Sequence, residues 1–215
     1  MCDICAALHR LFWGLERFTF PFDETRIPQN GIYILFEAEE RAHGGDRIVR
    51  IGTHTGDDQL RSRLRQHFIR ENKDRSIFRK NIGRALLNRA GDPFLEQWQW
   101  DLTTRKAQAA YGDLLDRRRQ AEVEREVTAY IQQNFSFVVF EVAEKEACLR
   151  LEARIISTVS GCQACRPSET WLGHQSPKAK IRQSGLWQVN QLYKEALSAQ
   201  ELMSLETALN KADAV

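Results

Sequence analysis

Apolar residues recur along this chain with two periods, and each period predicts its own kind of element. The run 31–36 is short and apolar on both faces, which predicts a buried strand. The segment 47–52 predicts a second strand, after a polar turn that contains Gly44-Gly45. We expect these two strands to form an antiparallel hairpin with a long loop, and 135–142 to form a third strand.

Elsewhere, apolar side chains return every three or four residues, which is the period of an amphipathic helix. The helices predicted in this way cover residues 2–18, 58–70, 76–88, 114–133, 144–160 and 198–210. Ser198 and Glu201 form a capping-box pair at the start of the last helix. The highly charged helix 114–133 is expected outside the core. This order of elements predicts an α+β fold with a small three-stranded antiparallel sheet flanked by helices.

The composition narrows the class of protein. Of the 215 residues, 42% are hydrophobic and 28% are charged, which is typical of a soluble globular protein and excludes a disordered or collagen-like chain. The longest apolar run, 32–36, is far shorter than the roughly 20 residues that cross a bilayer. The first residues carry Asp3 where a signal peptide carries bases, so we expect no secretion, no membrane partner and a cytoplasmic location.

A net charge of +2 hides a strongly basic block. Between Leu60 and Ala90, ten Lys and Arg residues stand against only two acids. Phosphate binding requires clustered Lys and Arg, so the block indicates a nucleic-acid partner. A solvated helix face is the alternative explanation for a charge run taken alone.

One carboxylate interrupts an apolar helix stripe. The stripe of the helix 144–160 consists of Cys148, Ile155, Ile156 and Val159. Glu152 falls in the middle of it, and burying an unpaired carboxylate is costly. Glu152 is therefore expected to face a cation or strong donors, either as a structural salt bridge or as a metal-binding or catalytic group.

Three further polar residues stand beside the predicted core. Arg63 and His67 are four residues apart and share one face of the helix 58–70. Tyr33 lies on the strand face opposite Ile32 and its apolar neighbours. The ordinary alternatives are a solvated surface pair for Arg63 and His67, and a core tyrosine with a tethered hydroxyl for Tyr33.

Together these residues resemble the GIY-YIG nuclease family. Gly31-Ile32-Tyr33 is the first signature in full, and Arg50-Ile51-Gly52 stands on the next strand, where the second signature belongs. Arg63 matches the catalytic arginine of the family, His67 the histidine one turn later, and Glu152 the metal-binding glutamate on a later helix. The resemblance implies an endonuclease that uses a metal ion to hydrolyse phosphodiester bonds in DNA.

The resemblance also implies a division of the chain. It covers residues 31–160 in element order, which would be a nuclease core with a helical insertion at 91–133. Residues 1–30 would then form an N-terminal helical extension, and residues 161–215 a loop-rich and helical C-terminal extension.

The chain departs from the family pattern in several places. Arg50 replaces the tyrosine of the second signature, and the gap between the signatures is long. Thr53 follows where a lysine is frequent, and the late asparagine has no secure counterpart, Asn190 being only a candidate. With its Arg-Ile-Gly signature and the segment from Trp171 to Trp187, the chain is similar to a subgroup of small bacterial GIY-YIG proteins.

The resemblance implies a role for each principal residue. Glu152 would hold one Mg²⁺ or Mn²⁺ ion, because a carboxylate with waters suits hard cations. Arg63 would grip the scissile phosphate through its planar fork. Tyr33 would take a proton from the attacking water or orient that water, and His67 would relay a proton or hold a phosphate oxygen.

Two neighbours and a set of cations complete the implied site. His54 is a candidate to replace part of the missing tyrosine, with a structural turn histidine as the alternative, and Arg50 is a candidate second phosphate clamp. The cations expected to follow the DNA backbone are Arg61, Arg65, Arg75, Arg79, Lys80 and Arg84.

Four of the five cysteines form two pairs with the spacing of metal knuckles, Cys2 with Cys5 and Cys162 with Cys165. One tetrahedral zinc bound by all four would tie the N-terminal helix to the loop after the Glu152 helix. Only the fold can join pairs so distant in sequence, and a Cys5 that simply faces the core is the alternative.

Three functions stay open at this point. The leading one is a metal-dependent DNA endonuclease, which the joint presence of Tyr33, Arg63, His67 and Glu152 favours. The second is a catalytically impaired GIY-YIG scaffold that binds nucleic acid, for which Arg50 and the missing asparagine would mark lost catalysis. The third is a structural or interaction protein in which Glu152 forms only a salt bridge.

Overall fold

The computed structural model describes residues 2–212, in which an antiparallel sheet lies between two groups of helices. In chain order the elements are α1 (Cys2–Trp13), β1 (Phe18–Thr19), β2 (Ile32–Ala42), β3 (Gly45–Gly52), α2 (Leu60–Phe68), α3 (Ile77–Ala90), α4 (Leu95–Gln99), α5 (Arg105–Tyr111), α6 (Arg117–Asn134), β4 (Phe135–Phe140), α7 (Lys145–Ser160), α8 (Ala179–Ser184) and α9 (Ala199–Ala212). Short 3₁₀ segments lie at Glu24–Arg26 and Leu172–Gln175. The predicted α+β class is confirmed.

The sheet has four strands in the order β1-β4-β2-β3, and every neighbouring pair is antiparallel. The three predicted strands are present, and the two-residue β1 is an additional edge strand that pairs with β4. The expected long loop between β2 and β3 was wrong. Only His43 and Gly44 separate the two strands, and both have positive φ angles (53° and 89°), as a tight two-residue hairpin turn requires.

Strand β2 is buried on both faces because helices cover both sides of the sheet. Ile32 and Ile34 pack into one cluster with residues of α1, α7 and α9. Tyr33 and Leu35 point the other way, into a second cluster with residues of α2, α3 and α6. The predicted opposition of Tyr33 and Ile32 is confirmed, and it places the signature tyrosine beneath α2 and α3.

Helix α6 is part of the core, so its expected position outside the core was wrong. Val123, Val127 and Ile131 are completely buried, and they recur every four residues along one face of the helix. The charged residues of α6 cover the other faces, which hides this stripe in the overall composition of the segment. The buried face of α6 also carries Glu124, whose partner is described below.

None of the helices within residues 2–212 combines the length and the apolar character that a membrane crossing requires.

Candidate functional site

The two signature glycines are required by close approaches at one end of the sheet. Tyr33 and Gly52 are register partners on β2 and β3, and the Tyr33 ring lies where a Cβ on Gly52 would be. A Cβ on Gly31 would collide with the carbonyl group of Phe140 on β4. Glycine at position 52 therefore leaves room for the Tyr33 ring, and glycine at position 31 lets the chain before β2 approach the end of β4.

Tyr33 and His67 form a buried hydrogen-bonded pair. The Tyr33 hydroxyl lies 2.8 Å from Nε2 of His67, and both side chains are completely buried. Nδ1 of His67 lies 2.7 Å from the hydroxyl of Ser76, the residue that caps the N-terminus of α3 and accepts the Arg79 backbone N–H. His67 lies on the face of α2 that packs against the sheet. Tyr33, His67 and Ser76 thus form a chain of three hydrogen-bonded side chains.

Burial keeps the imidazole of this chain neutral. Desolvation is the main cause that lowers the pKa of His67 well below its usual value, and the charges of Arg63, Arg50 and Arg79 lower it further. A neutral imidazole has one nitrogen that donates and one that accepts. His67 can therefore accept the Tyr33 proton at Nε2 while Nδ1 donates to Ser76.

Arg50 covers the Tyr33 hydroxyl. Its Nε donates to the Tyr33 oxygen at 3.4 Å, and its Nη1 donates to the Trp187 carbonyl at 2.6 Å. The guanidinium also lies 5.4 Å from the centre of the Phe78 ring, and only 6% of Arg50 is exposed. These contacts tie Arg50 to the protein, so it is a buried donor to Tyr33 rather than a free phosphate clamp.

Glu152 and Arg63 occupy the half-buried part of the same neighbourhood. Burial raises the pKa of the Glu152 carboxyl, whereas the charge of Arg50, the backbone N–H of Thr53 and the charge of Arg63 oppose that rise. Arg63 on α2 donates from Nη1 to the Gln66 side chain and to the Arg75 carbonyl, both at 3.1 Å. Glu152 thus faces cations and a backbone donor, as its place in an apolar stripe predicts.

Glu152 offers a single carboxylate to a hard divalent ion. A carboxylate supplies the oxygen ligands that Mg²⁺ and Mn²⁺ prefer. Among residues 2–212, Glu152 belongs to no group of three metal-ligating side chains, so waters and phosphate oxygens would have to complete the coordination sphere. Mg²⁺ is bound in this way, because it gives up its water reluctantly.

His54 holds the backbone together at this end of the sheet. Its Nε2 accepts the backbone N–H of Gly31 at 3.1 Å, and its Nδ1 donates to the Gly56 carbonyl at 2.8 Å. Both ring nitrogens are therefore used by backbone groups, and the structural turn histidine is the better description. Close by, Thr53 donates its hydroxyl to the Gly31 carbonyl at 2.8 Å, which locks the two signature segments together.

Three of the six cations expected to follow DNA are buried, and this part of the expectation was wrong. Arg79 is completely buried and forms an ion pair with Glu124 of α6 at 2.8 Å. Lys80 is bound by Asp74 at 3.2 Å and by the Trp100 carbonyl at 3.1 Å. Glu124 and Trp100 lie in segments that only the fold brings to α3, whereas Asp74 is one of the two acids already counted within the block.

Arg84 is also buried, at 7% exposure, and donates to Asn81 at 2.8 Å. Of the other three expected cations, Arg61 is half-buried and donates to the Ile27 carbonyl at 2.6 Å, whereas Arg65 and Arg75 are exposed. The surface part of the basic block is therefore smaller than the sequence suggests.

The two CxxC segments meet on the other face of the sheet. Ligand atoms of Cys5, His9, His43 and Cys165 all lie within 4.8 Å of one another. Cys5 and Cys165 of the predicted Cys2–Cys5–Cys162–Cys165 set belong to this group, and two histidines complete it. His9 follows Cys5 by four residues on α1, which was the one signal in the sequence for its participation.

An apolar groove lies elsewhere on the molecule. It has a volume of about 590 Å³ and runs between the start of α7, α9 and the segment 139–142. None of the residues expected in the nuclease site lines it. The smaller cavity beside the signature segments, about 130 Å³, is lined by Thr53, His54 and Cys148 among others.

Comparison with known proteins gives one match. A family model described as a GIY-YIG domain matches residues 3–215, which is nearly the whole chain. No curated protein and no solved structure gives a significant match.

Proposed function

Because the chain belongs to the GIY-YIG domain family, a family of nucleases, we propose that it is a metal-dependent endonuclease that hydrolyses phosphodiester bonds in DNA. The observation that carries this proposal is the pairing of the Tyr33 hydroxyl with a neutral His67 at 2.8 Å, in the electrostatic neighbourhood of Arg63 and Glu152. A structural role alone does not explain why two arginines surround this buried pair.

Arg63 is the proposed phosphate ligand. It is half-buried on α2, and its recorded hydrogen bonds go to an amide side chain and a carbonyl, with no carboxylate among them. A guanidinium bound in this way keeps its full charge and can redirect its planar fork toward a phosphate. The five-coordinate phosphorus of the transition state carries extra negative charge, which Arg63 stabilises.

Tyr33 and His67 are the proposed proton acceptors. The Arg50 guanidinium stabilises negative charge on the Tyr33 oxygen, and His67 accepts the hydroxyl proton at Nε2. For the Tyr33 oxygen to take a proton from the attacking water, the Arg50 side chain that buries it would have to move aside. Neutrality of His67 is essential in this scheme, since a protonated imidazole has no free lone pair.

Glu152 is the proposed ligand for Mg²⁺ or Mn²⁺. When bound, such an ion would neutralise the negative charge that develops on the phosphate oxygens. Arg50 and Arg63 partly offset the rise in the pKa of Glu152 that burial causes, which favours the carboxylate that a cation would bind.

A second candidate function is a GIY-YIG scaffold that binds nucleic acid without cleaving it. The observation that favours it is the arrangement of Arg50, which stands in place of the second signature tyrosine and covers Tyr33 completely. In that case Arg63 and the exposed Arg65 and Arg75 would bind phosphates, and Tyr33 would be part of the core.

Cleavage assays separate these candidates. Purified protein is incubated with single-stranded and duplex DNA in Mg²⁺ or Mn²⁺, alongside Arg63→Ala and Glu152→Gln. Matched controls are Arg118→Ala, an exposed arginine on α6, and Glu146→Gln, an exposed glutamate on the same helix as Glu152. The proposal requires cleavage by the wild type and both controls, and a loss of at least about 100-fold in the two site variants.

Two outcomes contradict the proposal. Cleavage that survives in both site variants would assign the activity to a different site or to a contaminant. Binding without cleavage in either metal, with wild-type protein shown to be folded, would select the binding scaffold.

A further inference from the structure

The cysteine–histidine cluster, which we define as Cys5, His9, His43 and Cys165, joins three segments that are far apart in sequence. Cys5 and His9 lie on α1, His43 lies in the turn between β2 and β3, and Cys165 lies in the loop after α7. We propose that this cluster is a tetrahedral site for one Zn²⁺ ion, with two thiolate and two imidazole ligands. This site is independent of the nuclease proposal and lies in the core cluster on the sheet face away from Tyr33.

The distances within the cluster suit zinc. Zn–S bonds of about 2.3 Å and Zn–N bonds of about 2.0 Å in a tetrahedron separate the ligand atoms by roughly 3.3–3.8 Å. Nε2 of His9, the nitrogen that would bind the ion, lies 3.6 Å from Sγ of Cys165. All separations in the group are within 4.8 Å, so a contraction of about 1.5 Å at most would close the site around an ion.

The ring of His9 is held in the tautomer that a metal needs. Its Nδ1 lies 2.8 Å from the Cys5 carbonyl, which can only accept, so Nδ1 carries the hydrogen and Nε2 carries the lone pair. Metal-binding histidines are commonly oriented by such a bond from the other ring nitrogen to a backbone carbonyl. In this structure Nε2 accepts the Ile48 N–H at 3.2 Å, a contact that the ion would replace.

His43 reaches the cluster because of an unusual backbone conformation. Its φ of 53° is in the left-handed region, which few residues other than glycine adopt. The imidazole is 4.8 Å from that of His9 between ring centres, and its ligand atom lies within 4.8 Å of those of Cys5 and Cys165. A hairpin turn does not require histidine at this position, whereas a metal ligand does.

The chemistry of the ligands selects the ion. Two sulfur and two nitrogen donors in tetrahedral proximity are typical of zinc, and hard ions such as Mg²⁺ prefer oxygen. Cys5 and His9 are completely buried and Cys165 is 3% exposed, whereas His43 is half-buried, so three of the four ligands are shielded from solvent as in structural zinc sites. The four side chains would occupy all four positions of a tetrahedral ion and leave none for a substrate. The proposed role of the ion is therefore to hold α1, the hairpin turn and the 162–165 loop together.

Zinc content and cobalt spectroscopy test this proposal on the full chain. Protein purified without chelator is expected to contain one zinc per chain by mass spectrometry of the metal, and Cys5→Ser and Cys165→Ser to contain at least tenfold less. Cys148→Ser, a buried cysteine outside the cluster, is the matched control and should keep its zinc. Replacement of zinc by Co²⁺ in the wild type should give the intense visible bands of a tetrahedral site, with sulfur charge transfer corresponding to two thiolates. This measurement needs no variant to fold.

Several outcomes overturn the proposal. Metal-free protein that takes up neither Zn²⁺ nor Co²⁺ while all five cysteines titrate as thiols would leave an ordinary buried cluster. Fewer than five thiols in the denatured, metal-free protein would indicate a disulfide instead. In a third outcome, Cys2→Ser and Cys162→Ser lose the zinc, His9→Ala and His43→Ala keep it, and the cobalt spectrum shows four thiolates. That result would assign Cys2 and Cys162 as ligands in place of the two histidines.

Discussion

The hydroxyl of Tyr33 lies where a Cβ on Gly52 would be, so the first signature of the chain can adopt its position only because the second one ends in glycine. The two residues are register partners on β2 and β3, at the end of the sheet where Tyr33 meets His67. The two signatures therefore pack as one unit. This holds even though Arg50 replaces the tyrosine with which the second signature usually begins.

We expect Gly52→Ala to displace Tyr33 from His67. The new methyl group would overlap the tyrosine ring, and overpacking of this kind costs about 1–3 kcal/mol of unfolding free energy. DNA cleavage should fall by at least about 100-fold, because a shift of about 1 Å at the reacting groups has an effect of this size. The control is Gly14→Ala, whose methyl group would find ordinary contacts at 3.4 Å. Equal activity of the two variants would show that the position of Tyr33 does not matter for the chemistry.

We expect Arg50→Lys to show whether Arg50 acts through its positive charge or through its hydrogen bonds. A lysine keeps the positive charge beside Glu152 but cannot donate along the guanidinium fork to both the Tyr33 oxygen and the Trp187 carbonyl. Stability should fall by about 1–3 kcal/mol, since one buried acceptor loses its donor. If Arg50 acts on Tyr33, cleavage should fall more in Arg50→Lys than in a variant that loses the same stability elsewhere, such as Val127→Ala. Measured rates that follow stability alone would make Arg50 purely structural.

We expect Arg79 and Arg75 to behave oppositely when replaced by alanine. Arg79→Ala leaves Glu124 buried without its cation, which typically costs about 3–5 kcal/mol and is measured by urea unfolding. Arg75 is exposed, so Arg75→Ala should change stability by less than about 0.5 kcal/mol. If Arg75 contacts a phosphate, the dependence of log affinity on log salt should become shallower by about one unit. An Arg79→Ala variant with normal stability and a shallower salt dependence would restore Arg79 to the DNA-binding set.

The sequence predicts the parts of this structure that depend on local periodicity. The apolar run at 31–36 identifies β2, and the spacing of Arg63 and His67 places both on one face of α2. Glu152 is recognisable as unusual because a carboxylate in an apolar stripe needs a partner wherever the stripe packs. These inferences require only neighbours in sequence.

Other features depend on partners that are distant in sequence. The charge of Arg79 is directed inward by Glu124, which is 45 positions away on α6, and nothing local to α3 indicates this. His43 joins the cysteines only because the hairpin turn folds over α1. For α6, in contrast, the four-residue spacing of Val123, Val127 and Ile131 is itself enough to predict the buried face. The expected surface position was wrong because it relied on the high overall charge of the helix.

We expect His67 to make the protein less stable in mild acid. The folded state keeps His67 neutral, whereas in the unfolded chain it binds a proton below its ordinary pKa of about 6.5. The unfolded state then binds more protons than the folded state, so the unfolding free energy decreases as the pH falls below about 6.5, by up to about 1.4 kcal/mol per pH unit. Above that pH, His67 contributes no pH dependence.

Burial raises the pKa of the Glu37 carboxyl, and a carboxyl of this kind increases the unfolding free energy as the pH falls. The effect of His67 must therefore be measured as a difference between the wild type and a variant. Chemical unfolding of the wild type and His67→Gln between about pH 5 and 7.5 isolates the histidine. The variant should be less stable than the wild type near pH 7.5, and the gap should narrow toward pH 5. Parallel curves would mean that His67 titrates with the same pKa in the folded and unfolded protein, which would contradict the lowered pKa that keeps it neutral.

We expect removal of the proposed zinc ion to lower thermal stability without directly changing the nuclease site. The cluster joins α1, the hairpin turn and the 162–165 loop, so its loss frees three segments on the sheet face away from Tyr33. A loss of about 2–3 kcal/mol corresponds to a decrease of roughly 5–10 °C in Tm for a domain of this size. Stoichiometric Zn²⁺ should restore the Tm, whereas Mg²⁺ should not, because thiolate and imidazole ligands bind it poorly. Recovery with Mg²⁺ alone would assign the effect to Glu152 instead, and Glu152→Gln protein, which keeps the cluster, distinguishes the two sites.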